Sequence, residues 1–91
     1  MNKDESMDAI IKHREAIDAL DAQIVDLLNK RTEHALEIRA LKPAAGMPLY
    51  DAKREEEILE AIEACNKCPL YPDNLREIFE LILKVSKEVP A

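Results

Sequence analysis

Ninety-one residues are enough for one small domain, and 47% hydrophobic with 35% charged residues excludes a chain that cannot bury a core. Thirteen basic against nineteen acidic residues leave a net charge of −6. That balance repels a nucleic-acid backbone, although a small anion would feel only the charges lining its own pocket. One glycine, five prolines and 3% aromatics favour helices over sheets.

The opening stretch "MNKDESMDAI" has no apolar run of signal-peptide length, and no later segment approaches a membrane span. A cytoplasmic chain is expected, with neither membrane nor nucleic acid as partner. A periodic pattern then runs from about Met7 to Leu41 without proline or glycine. Ile10, Ile17, Ile24 and Ile38 share one position of a seven-residue repeat, and Leu20, Leu27 and Leu41 share the position three further on. Such a helix is about 52 Å long at ~1.5 Å per residue, whereas a globule of this size is about 30 Å across. Its seam needs a partner, and a second copy of the chain is the simplest one.

Arg31 sits in the isoleucine row, a permanent cation where the repeat calls for hydrocarbon. Lys42 follows eleven residues later, ~1100° of rotation or about 20° from alignment. The two cations share a face, with Ala35 and Ile38 between them, and their long side chains suit a small anion. The competing reading makes both solvated or ion-paired, with Lys42 serving the last carbonyls of its helix. Arg31 fits that reading poorly because its neighbours in the row are isoleucines. Arg14 lies ~25 Å before Arg31 and about 100° around the helix, so one small ligand cannot touch both in one chain. In an antiparallel pairing, Arg14 of one copy reaches the site of the other.

The stretch "PAAGMP", residues 43–48, holds the only glycine and two prolines and predicts a loop. Asp51 can cap a second helix running to about Asn66, with Ile58, Leu59 and Ile62 as its apolar face. Asp51, Arg54 and Glu55 stand at i, i+3 and i+4 and share a face at its start. Here a charge-paired helix surface is a strong competitor, and Lys53, Glu56 and Glu57 fit it. "CPLYP" ends the helix. A third runs from about Asp73 to Glu88, apolar around most of its circumference, as expected of a helix buried inside an assembly. Cys65 and Cys68 form a lone "CNKC". Zinc would need further ligands, and His13 and His34 lie on a distant segment, so two free thiols are expected.

From about Ala9 to Ser86 this pattern resembles the all-helical class of chorismate mutases. The stretches that carry it are "REAIDALDAQIVDLLNKR", "ALEIRALK", "GMPLYDAKREEEIL" and "IFELILKVS". The resemblance implies an all-α, three-helix chain, residues 1–91 forming one domain, that intertwines with a second copy as an antiparallel homodimer with two shared sites. It implies a Claisen rearrangement of chorismate, a dicarboxylate, to prephenate, with no cofactor or metal. Carried onto this sequence, the partner's Arg14 and Arg31 hold the two carboxylates, and Lys42 faces the ether oxygen. Arg54 supports the ligand, Glu55 accepts the ring hydroxyl together with the Asp51 region, Ile38 lines the site, and Ser86 lies near a carboxylate.

The pattern departs from the family at Pro90, where members usually carry Gln or Glu as a second donor to the ether oxygen. Proline disfavours helical geometry in the residue before it, so the third helix should end near Glu88 or Val89. Two other readings stand beside the mutase: an isochorismate-pyruvate lyase of the same fold, and a ligand-binding, regulatory dimerisation module of a shikimate-pathway enzyme.

Overall fold

A computed structural model of the chain describes residues 2–90. The described residues form three helices and no strand: α1 (Lys3–Ala45), α2 (Ala52–Cys65) and α3 (Pro72–Glu88). None of these helices is long and apolar enough to cross a membrane.

Both ends of α1 lie outside the bounds expected from periodicity. The helix starts at Lys3 rather than near Met7 because Asn2 and Glu5 cap it reciprocally. The Glu5 N–H donates to Asn2 Oδ1 at 2.8 Å, and the Asn2 amide donates to the Glu5 carboxylate at 3.1 Å. At the other end the helix runs through Pro43, where the sequence predicts a loop. A proline in a last turn removes only one helical hydrogen bond, and the stop falls to Gly46 instead. Its φ of +68° is the left-handed conformation that glycine adopts without strain. The Gly46 N–H donates to the Pro43 carbonyl at 3.2 Å and the Met47 N–H to the Lys42 carbonyl at 3.0 Å, the paired bonds of a Schellman motif.

The chain divides into two units, one up to His34 and one from Ala35 on. The first is helix alone. Its isoleucine row stays half in solvent, with Ile10, Ile17 and Ile24 exposed by 48%, 53% and 52%, and Leu20 and Leu27 are exposed as well.

The second unit holds the last turns of α1 together with α2 and α3. Asp51 caps α2 as expected, and Asn66 follows its last residue. Pro72 stands in the first turn of α3, where its missing N–H costs nothing. Leu59 of α2 and Leu83 of α3 are the buried core residues, exposed by 6% and 9%. Ile58, Ile62, Leu75, Phe79 and Ile82 are half-buried around them. Arg76 clamps the pair: it bonds Glu56 at 2.7 Å and Glu63 at 2.8 Å on α2, and Glu80 at 3.2 Å on its own helix. Hydrogen bonds to Glu63 and then Glu56 raise its ionisation further above the ordinary arginine value.

The apolar circumference of α3 is therefore split. One side packs on α2, while Ile78, Leu81 and Val85 (at i, i+3 and i+7) remain exposed. Beyond α2, both cysteines are free and exposed. The Cys65 thiol donates to the Ile62 carbonyl at 3.4 Å, and the Cys68 N–H donates to Asn66 Oδ1 at 3.2 Å.

Candidate functional site

Lys42 stands in the last turn of α1. Its ammonium donates to the Leu49 carbonyl at 2.6 Å, so it serves the following segment rather than the final carbonyls of its own helix. This bond ties the segment before α2 to the end of α1. An ammonium has three donors, and the Leu49 carbonyl occupies one.

At the start of α2, Asp51 takes an extended conformation (φ −135°, ψ 95°), and its Oδ1 accepts the Arg54 N–H at 3.1 Å. The cap satisfies a helix-terminal donor and sets the register of the next turn. In that register Arg54 lies largely in solvent, its guanidinium 3.9 Å from Glu57, a contact too long to fix it. Glu55, one residue on, turns inward and is half-buried.

Glu55 meets α3. The Lys87 ammonium pairs with its carboxylate, donating to Oε2 at 3.1 Å. The same ammonium lies 4.5 Å from the centroid of the Tyr50 ring, within cation–π range. Just before Lys87, the Ser86 carbonyl accepts an N–H of Arg39 at 2.8 Å, and the Val89 carbonyl accepts another at 2.7 Å. A single guanidinium on α1 thus holds the last turn of α3.

Four of the residues predicted from the sequence take part in these contacts, each with a different partner. Lys42 holds Leu49, Tyr50 follows Leu49 and lies under Lys87, Lys87 pairs with Glu55, and Ser86 precedes Lys87; Asp51 caps the helix that carries Glu55. Arg54 is on the same first turn but exposed, and Ile38 is exposed on α1. Arg14 and Arg31 belong to the unit that ends at His34, Arg14 exposed and Arg31 half-buried.

Periodicity does not single out Lys87 and Arg39, because their partners lie 32 to 50 residues away and no local spacing signals such a contact. An open groove of about 430 Å³ runs between α2 and α3, and of the predicted set only Glu55 lines it. Among the described residues, no group of three or more His, Cys, Asp and Glu is placed to hold a metal ion. The arrangement offers cations and a carboxylate acceptor, the equipment for orienting an anion that carries a hydroxyl.

Comparison with known proteins gives this arrangement a context. The family model described as chorismate mutase type II matches residues 13–90. A bifunctional chorismate mutase/prephenate dehydratase of Neisseria gonorrhoeae is 38% identical over 74 residues, 81% of this chain and 20% of the relative. A 3-dehydroquinate dehydratase of Pyrobaculum aerophilum is 34% identical over 76 residues, 84% of this chain and 22% of the relative. The chain thus spans about a fifth of the length of these curated relatives. Among solved structures, that of chorismate mutase (form II) from Thermus thermophilus superposes with a TM-score of 0.85 at 34% identity, covering 89% of this chain and 92% of that one.

Proposed function

Because this chain belongs to the chorismate mutase type II family, we propose that it rearranges chorismate to prephenate in a site shared between two copies of the chain. Members of the family are isomerases, and the reaction breaks the ether C–O bond as a new C–C bond forms within one molecule. No atom enters or leaves. Catalysis therefore reduces to holding a flexible dianion in its reactive chair and stabilising the negative charge that grows on the ether oxygen.

The residues divide that task. Arg31 and the partner's Arg14 take the two carboxylates through charge-assisted forks, which explains a permanent cation in a hydrocarbon row. Lys42 donates to the ether oxygen. Glu55 accepts the ring hydroxyl beside the Asp51 cap, Arg54 supports the ligand, Ile38 supplies an apolar wall, and Ser86 lies near a carboxylate. Residues 1–91 act together as one domain of this kind.

The observation that carries the reading is the set of contacts at the helix ends: Lys42 holds the segment before α2, Lys87 pairs with Glu55 beside the Asp51 cap, and Arg39 holds the Ser86 carbonyl at the end of α3. The antiparallel, intertwined homodimer is supported by the exposed isoleucine and leucine rows of α1 and by the exposed stripe on α3. Incubating purified protein with chorismate, following the loss of its absorbance and identifying the product tests the proposal. Prephenate supports it and unchanged chorismate would overturn it, while salicylate with pyruvate from a parallel incubation with isochorismate would assign the lyase reaction instead.

A further inference from the structure

Lys87 lies at the meeting point of three elements. It stands in the last turn of α3, its ammonium pairs with Glu55 in the first turn of α2, and it lies over the ring of Tyr50 in the segment that Lys42 holds through Leu49. Its own backbone is fixed, because Arg39 bonds the carbonyls on either side of it, at Ser86 and Val89. The Glu55 side chain is only 21% exposed, so its partner, rather than bulk water, decides where its oxygens point. A half-buried carboxylate without a cation would either rotate out to solvent or remain at a desolvation cost.

We propose that Lys87 is a positioning residue for the substrate pocket: it fixes the Glu55 carboxylate and, through Tyr50, the segment that Lys42 holds. The proposal rests on the mutase reading, because Glu55 matters only where it meets the ring hydroxyl. Lys87 acts on binding more than on the bond-making step. A hydroxyl contact present equally in bound substrate and transition state appears in KM and leaves kcat alone.

The experiment compares the full chain with Lys87→Met, which keeps the aliphatic stem, and Lys87→Arg, which keeps the charge and the cation–π contact. Because the Lys87 side chain is half in solvent, both variants should fold, and their melting curves verify it. Loss of one oriented hydrogen bond should raise the KM for chorismate about tenfold in Lys87→Met with kcat within about twofold, and Lys87→Arg should restore most of the difference. In a Glu55→Gln background, Lys87→Met should add less than about twofold in KM, because the group it positions is already altered.

Unchanged KM in Lys87→Met would overturn the proposal. Multiplicative effects of the two substitutions would overturn it too, by showing that Lys87 does not act through Glu55. A fall in kcat at constant KM would do the same, by making Lys87 a direct contributor to the bond-making step. If the unsubstituted chain leaves chorismate intact, the mutase reading fails first, and this proposal falls with it.

Discussion

Arg39 on α1 and Ser86 on α3 are joined by a 2.8 Å hydrogen bond from the guanidinium to the Ser86 carbonyl, and a second N–H of the same group reaches Val89 at 2.7 Å. The last carbonyls of a helix have no partner within the helix, and a cation there also meets the negative end of its dipole. One side chain thus closes α3 and holds Ser86 and Lys87 in register.

Arg39→Met should therefore cost about 2 kcal/mol, given that hydrogen bonds to a charged donor contribute about 1.5–3 kcal/mol and these are partly solvated. Urea unfolding of the variant against the parent measures it. A midpoint unchanged within error would show that α3 ends where it does without this contact.

The helices are legible in the sequence because burial and capping leave local signatures. The repeat of Ile10, Ile17 and Ile24 marks α1, Asp51 marks the start of α2, and Pro90 marks the end of α3 near Glu88. The bounds of α1 are less legible. Pro43 is the stronger breaker by residue type, yet a last turn tolerates it and the left-handed Gly46 makes the stop. Of the site, the residue types at Lys42, Asp51 and Glu55 can be read. That Glu55 meets Lys87 cannot, because the contact arises from packing α3 against α2, and a separation of 32 residues carries no periodicity that encodes it.

Gly46 gives a second test. Nothing lies within 4 Å of where a Cβ would stand, so the only penalty of a side chain is its left-handed backbone, at φ +68°. Gly46→Ala should destabilise by about 1 kcal/mol, and Gly46→Asn by less, since asparagine tolerates that region. Thermal melts rank the three. Alanine matching glycine would mean that the turn relaxes to a different stop.

The proposed shared site predicts complementation between two inactive variants. Arg14→Ala and Arg31→Ala should each lower kcat/KM by at least about a hundredfold, because in the proposed site each removes a charge-assisted fork to a carboxylate. When the two variants are unfolded together and refolded, each mixed dimer carries one site with both lesions and one with neither. Activity should return to about a quarter of the parent's, since random pairing makes half the dimers mixed and each regains one of two sites. If mixed dimers form and nothing returns, Arg14 does not act across the interface.

Pro90 carries the last prediction. α3 stops at Glu88, and Val89 is extended (φ −68°, ψ 124°), the conformation that a following proline imposes. Position 90 therefore lies beyond the helix and has no side-chain donor to offer the ether oxygen. Glu88 does not replace it, because its carboxylate is exposed and faces Lys84 of its own helix at 4.0 Å. In the proposed site Lys42 is then the remaining donor to the developing negative charge, and the absence of one such donor typically costs on the order of 10²–10³ in rate. Pro90→Gln removes the restriction on Val89 and adds an amide donor, so kcat should rise at least about tenfold if the last turn extends to reach the site. Pro90→Ala separates the two effects: it frees the backbone without a donor and should leave kcat within about twofold of the parent. Steady-state kinetics of the three proteins on chorismate decide the matter. Equal kcat in all three would mean that the ether oxygen is served without any donor at position 90.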